Sequence, residues 1–196
     1  MTLSDARNDP RQKPSEHTPA TASQTAGPYW ALIDFPAWAD LLRADGPNAG
    51  YAEGSRITLA GRITDGQGTP CTDAWVEIWQ ADPHGNHETG FHGFGRSATN
   101  QDGRFHFATV KPGPVKGRGN ATQAPHITLT IFARGLTRHL VTRLYFADEP
   151  LNDSDPVLNA VPAARRGSLI ATPAGANAWN LDIRLQGENE TVFLEV

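Results

Sequence analysis

At 196 residues, with a formal charge of −4 and a pI near 5.9, the chain is long enough for one sizeable domain and carries no excess of basic side chains. That balance excludes a nucleic-acid or anionic-membrane binder acting through bulk charge, and no apolar run of about 18 residues is present to span a bilayer. The single cysteine, Cys71, excludes an internal disulfide framework. With an N-terminus that lacks the apolar centre of a signal peptide, this predicts a reducing, cytoplasmic setting.

Residues 1 to about 20 are polar and proline-containing, the composition of a flexible tail. Residues 21–196 read as one domain, entered through an N-terminal arm, Ser23-Gln24-Thr25-Ala26-Gly27-Pro28. Small residues, a permissive glycine and a rigid proline there let the backbone approach a small planar ligand closely. Pro36 to Arg43 predicts one short helix, with proline in its first turn and Trp38, Leu41 and Leu42 on one side.

After that helix the period changes. Ile57, Leu59, Gly61 and Ile63 alternate with Arg56, Thr58, Ala60 and Arg62, the pattern of a half-buried strand that ends at Asp65-Gly66. Further strands are predicted at 74–80, 104–110, 126–133, 140–146, 168–172, 179–185 and 191–195, separated by Gly, Pro, Asn and Asp. Short segments so spaced predict an all-β fold: an antiparallel β-sandwich with long loops and little helix.

Several groups of chemistry-bearing residues have bland readings. His84, His87 and His92 share a Gly-rich loop, but their spacing matches no established metal pattern. Gly113 to Gly119 lacks the Gly-Lys-Ser/Thr ending of a phosphate loop. Asp148, Glu149, Asp153 and Asp155 sit among prolines and read as a solvated acidic loop. Cys71, in a turn-like stretch without a cationic neighbour in sequence, reads as a structural bystander. Trp75, Glu77 and Trp79 share one strand face and predict packing against a neighbouring sheet or subunit. Trp75, Trp79, Phe91 and Phe94 are expected to contribute to an apolar docking surface.

One strand stands apart. In Pro125-His126-Ile127-Thr128, positions 126 and 128 point the same way, so imidazoles at both would clamp one metal ion from a single rigid element. The segment resembles the Pro-x-His-x-His strand of intradiol ring-cleavage dioxygenases, non-haem Fe(III) enzymes whose iron is held by two Tyr and two His. Thr128 stands at the second histidine. Lys111-Pro112-Gly113-Pro114-Val115 matches the family's Pro-Gly-Pro-Tyr turn with valine in place of the tyrosine. The stretch from Asn86 to Phe94, before Gly95-Arg96-Ser97-Ala98-Thr99, contains no tyrosine either.

The resemblance runs in order through Val76-Glu77-Ile78-Trp79-Gln80-Ala81-Asp82, Phe132-Ala133-Arg134-Gly135-Leu136, Thr142 to Phe146, Arg165 to Ala171 and Gln186 to Phe193. It implies a subunit of the two-chain branch of the family, without catalytic or metal-ligating residues of its own, paired with an iron-bearing beta chain. Fe(III) is then expected in that partner, with protocatechuate and O2 at a shared site. The residues that the resemblance marks as substrate-binding are Thr25, Gly27, Pro28 and Arg134. The alternative is a purely structural or interaction β-sandwich with no share in an active site.

Overall fold

The computed structural model describes residues 35–87 and 90–195. The expected tail over residues 1–20, and Thr25, Gly27 and Pro28 of the arm, lie outside the described residues.

Alternation shapes the first strand, β1 (Arg56–Thr64): Ile57, Leu59, Gly61 and Ile63 are buried while Arg56 and Thr58 are exposed. It is followed by β2 (Trp75–Gln80), β3 (Phe94–Ala98), β4 (Arg104–Val110), β5 (Val115–Lys116), β6 (Thr122–Gln123), β7 (His126–Phe132) and β8 (Leu140–Phe146). A short helix, α1 (Pro156–Ala160), and 3-10 turns precede β9 (Ile170–Gly175), β10 (Ala178–Asn180) and β11 (Ile183–Arg184).

Nine of these strands form one sheet folded over on itself, and β5 and β6 make a separate two-stranded ribbon. One layer carries β4, β1, β10 and β11, and the other β3, β2, β7 and β8. The strand β9 serves both layers. Its first residues, Ile170 and Ala171, run parallel to Tyr145 and Phe146 of β8, while Thr172, Pro173 and Gly175 pair antiparallel with β10. At the opposite edge β3 meets β4, where the His106 amide donates to Ser97 Oγ at 3.3 Å. The result is an all-β sandwich closed almost into a barrel.

Between the layers lie Leu59 and Ile63, Val76 and Ile78, Phe105 and Phe107, Ile127, Leu129 and Ile131, and Leu144 and Phe146. Each such side chain, withdrawn from water, contributes roughly 1.5–3 kcal/mol. The close approach of the chain's end to β1 demands glycine at position 61. A Cβ there would sit 2.0 Å from the Leu181 carbonyl oxygen and against the Phe105 ring.

Three departures from the sequence reading have physical causes. The helix expected over 36–43 is a single 3-10 turn, Pro36–Ala39, because Asp40 bridges to Ala108 and the Leu41 amide donates to the Ala108 carbonyl, drawing the backbone into extended form. Residues 191–195 form no strand, although Leu194 N donates to Val141 O and Thr142 Oγ1 to Val192 O, so side-chain and single backbone bonds replace a ladder. The sandwich is also not purely antiparallel, since β1 pairs in parallel with β10 and β11, as does β8 with β9. Among the described residues, no helix is long and apolar enough to cross a membrane.

Candidate functional site

With Ile127, Leu129 and Ile131 turned into the core, β7 presents His126, Thr128, Thr130 and Phe132 on its outer face. Register then selects their neighbours. Thr128 lies between Trp79 of β2 and Arg143 of β8, and His126 is opposite Tyr145. In the β5–β6 ribbon, Val115 is opposite Gln123. The Gln123 Oε1 accepts from Arg143 Nη1 at 2.7 Å, which joins the ribbon to the outer face of the sheet.

His87 stacks on Trp79 with centroids 5.6 Å apart and planes 8° from parallel. Beside it opens a cleft of about 430 Å³ lined by His84, Gly85, Asn86, His87, Pro114, Val115 and Lys116. Its walls are tied together by Asp82: the carbonyl accepts from Gly113 N at 2.9 Å, and Oδ1 from His84 N and Asn86 N at 2.8 and 2.9 Å.

His126 is buried, and its Nδ1 donates to the Ala124 carbonyl at 2.7 Å, leaving Nε2 as the unprotonated ring nitrogen. Burial, reinforced by the Arg143 guanidinium, pushes its pKa down to about 4. Burial likewise pushes the Tyr145 phenol up to about 12, against the opposing pull of Arg143. Behind both sits Asp155, fully buried. Its Oδ1 accepts from Tyr145 Oη at 3.1 Å and from the amides of Val157 and Leu158, while Oδ2 accepts from Ala124 N at 2.8 Å. The expectation that Asp155 belongs to a solvated acidic loop is therefore corrected. It caps α1 and braces β6, β7 and β8 from below the surface.

The chemistry of this donor set does not fit Fe(III). Val115 has no donor atom and Thr128 offers a neutral hydroxyl, so His126 Nε2 is the one imidazole nitrogen that the strand presents. Among the described residues, no group of three or more His, Cys, Asp and Glu side chains is placed to hold a metal ion. The three loop histidines have separate partners. His84 Nε2 lies 2.9 Å from Glu53, His87 is on Trp79, and His92 stands edge-on to Phe94. Burial raises the pKa of Cys71, which makes its thiol less reactive.

Arg134 lies at the other end of β7, in the turn Ala133-Arg134-Gly135-Leu136, which Leu136 N closes onto Ala133 O. Gly135 there has a φ of 87°, the left-handed conformation that glycine adopts without strain. The Arg134 side chain is 87% exposed, and its Nε lies 3.0 Å from Asp73 Oδ2.

Trp75 and Phe91 are spent inside this fold. Trp75 is buried beneath Arg96, whose guanidinium lies 4.1 Å from its ring centroid and bonds Glu77 at 2.6 Å; Phe91 packs against Tyr51. Phe94 is partly covered by Trp38 and His92. Among the described residues, the large apolar side chains left in solvent are Phe35 and Trp79.

The sequence matches the dioxygenase family model over residues 26–187. It is 42% identical to the protocatechuate 3,4-dioxygenase alpha chain of Pseudomonas putida, with 93% of this chain and 99% of that one aligned. The chain belongs to the intradiol dioxygenase family.

Other family members carry the comparison further. Identity is 40% to the protocatechuate 3,4-dioxygenase alpha chain of Burkholderia cepacia, over 90% of this chain and 97% of that one. It falls to 34% against the beta chain of the same organism, over 70% and 67%. Among solved structures, the dioxygenase domain of a carbohydrate-binding fusion protein from Streptomyces sp. SirexAA-E superposes with a TM-score of 0.61 at 27% identity, covering 85% of this chain and 98% of that one. Within this intradiol fold, the roles of Gln123, Arg143 and Tyr145 are not visible in the sequence, and Asp155 reads there as solvated loop. Arg143 and Tyr145 share β8, but Gln123 is on β6 and Asp155 at the start of α1, and only the folded chain brings them together.

Proposed function

We propose that the chain is the alpha subunit of a protocatechuate 3,4-dioxygenase, working in the cytoplasm with an iron-bearing beta subunit. Two facts together support the reading: nearly end-to-end similarity to alpha chains, and an outer-face cluster in which Val115 and Thr128 stand where iron would need ligands. In the partner, Fe(III) supplies the chemistry that opens the ring of protocatechuate with O2 between its two hydroxylated carbons, giving 3-carboxy-cis,cis-muconate.

This chain's own part is to complete the pocket. Arg134 is about eight residues of largely extended chain from His126, roughly 25 Å. It is therefore remote from the ligand-poor cluster of its own chain, and its exposure supports a role at the partner's site. There its guanidinium receives the substrate carboxylate through charge-assisted hydrogen bonds. Thr25, Gly27 and Pro28 contribute backbone and small side chains that cover the substrate ring and help exclude water.

The test is co-expression with an iron-bearing beta-type chain, one with a Pro-Gly-Pro-Tyr turn and a His-x-His strand, followed by size measurement and oxygen uptake with protocatechuate. The expected result is a stable heteromer with activity that neither chain has alone. A beta-type chain fully active by itself, and unaffected by this one, would overturn the proposal.

A further inference from the structure

We infer that Asp73 is a positioning residue for Arg134, holding its guanidinium in the orientation that receives an aromatic carboxylate. This rests on the reading that Arg134 serves the shared substrate pocket.

The geometry is asymmetric in an informative way. Asp73 belongs to the turn leading into β2 and is one-third exposed. That turn is clamped on both sides of Asp73: Thr99 Oγ1 donates to the Cys71 carbonyl at 2.8 Å and accepts from Ala74 N at 3.0 Å. Asp73 is thus a carboxylate on a fixed post. Arg134 is its opposite, a long side chain projecting from a tight turn into solvent, with many rotamers to lose before it can serve as a receptor.

The edge of the guanidinium that Asp73 meets matters as much as the contact. The approach is to Nε, at 3.0 Å, on the side of the planar fork. A guanidinium offers a second, end-on edge formed by its two Nη groups, which matches a carboxylate in bidentate fashion. Asp73 therefore draws the group to one side by its charge while leaving the end-on donors for the ligand. Competition between the two carboxylates would require both to seek one edge.

An exposed ion pair adds little to the stability of the free chain. Its contribution is orientation, which is needed once a partner surface shields the pair and the ligand arrives. Removing the Asp73 charge should raise KM for protocatechuate while kcat changes little, because pre-orientation acts on binding of the carboxylate and not on the reacting carbons.

The experiment uses the assembled alpha–beta enzyme, with Asp73→Asn, Asp73→Glu, Arg134→Ala and the double variant Asp73→Asn/Arg134→Ala. Steady-state constants are measured on protocatechuate and on catechol, which lacks the carboxylate. For Asp73→Asn, KM for protocatechuate is expected to rise about three- to tenfold with catechol constants unchanged, and the double variant should be no worse than Arg134→Ala alone. Asp73→Glu, which restores a carboxylate, should recover much of the loss. A selective loss in Arg134→Ala with an unchanged or lowered KM in Asp73→Asn would overturn the role of Asp73 while leaving Arg134 in the pocket. Equal losses on both substrates in Arg134→Ala would overturn the underlying reading instead.

Discussion

Tyr145 donates its phenolic hydrogen to Asp155 Oδ1 at 3.1 Å, and both residues are shut off completely from solvent. The same carboxylate accepts from the amides of Ala124, Val157 and Leu158, so one side chain binds the start of α1 to the strands beneath it.

Asp155→Ala should therefore be severely destabilising, by about 3–5 kcal/mol, because a phenol and three amides lose their acceptor in a dry site. Asp155→Asn should cost less, since it keeps one oxygen, yet it turns an amide donor on some neighbour that is itself a donor. Chemical denaturation midpoints at unchanged m-value check both, and a cost below about 1 kcal/mol for the alanine variant would contradict the bracing role.

Acid should weaken the fold through His126. Its folded pKa of about 4 lies below the ordinary value of about 6.5, so the unfolded chain takes up the proton first. The stabilisation is complete above about pH 6.5, declines as pH falls from there toward 4, and levels off below. The full span is on the order of 3 kcal/mol. His126→Asn keeps an amide donor near the Nδ1 position and cannot titrate, so the difference between wild type and variant in denaturation free energy should shrink steadily over that window. Parallel pH profiles for the two proteins would assign the acid sensitivity to other groups.

Arg134→Ala in the assembled enzyme should impair protocatechuate far more than catechol. A charge-assisted hydrogen bond in a shielded pocket contributes about 1.5–3 kcal/mol, so the ratio of the two kcat/KM values should shift roughly ten- to a hundredfold. Iron content should not change, because arginine is no ligand.

Purified without a partner, the chain should contain no stoichiometric Fe(III) and lack the visible absorption of tyrosinate bound to iron, given Val115, Thr128 and a tyrosine-free stretch from Asn86 to Phe94. Metal analysis together with the visible spectrum decides this. About one iron per chain with that band would contradict the donor-set argument.

The isolated chain should also self-associate through its uncovered aromatic groups. Trp79 is 45% exposed and Phe35 46%. Trp79→Ser is expected to lower the apparent mass in size-exclusion chromatography at high concentration.

Much of this architecture was legible in the chain because burial on one face enforces alternation. Ile57 to Ile63 announces β1, and Ile127, Leu129 and Ile131 announce β7. Where pairing depends on partners distant in sequence, alternation is silent. The strand β3 is absent from the predicted strands, for Phe94-Gly95-Arg96-Ser97-Ala98 has no alternation to mark it and pairs with β2 only in the fold. Nothing in Thr122-Gln123 marks a two-residue strand opposite Val115. At the candidate site, His126, Thr128 and Val115 were found by motif. Asp155 reads as solvated because its neighbours in sequence are polar, whereas its buried partners Ala124 and Tyr145 come from distant parts of the chain. The Asp73–Arg134 pair joins two turns 61 positions apart in numbering, for which no local signal exists.

The parallel docking of β1 against residues 178–184 has a consequence for how the protein is made. Synthesis delivers β1 and then its neighbour β4, but the strands that cover the other edge of β1 emerge only after β5 to β9 have followed. Until then Leu59 and Ile63 have an open ladder beside them, the kind of edge that recruits strands from other chains. Contacts of such long sequence separation also slow folding, since loop closure must precede any gain from pairing. A ribosome-bound chain ending before Ala178 should therefore remain protease-sensitive in β1, and deletion of residues 178–184 should be far more damaging than their modest share of the core suggests.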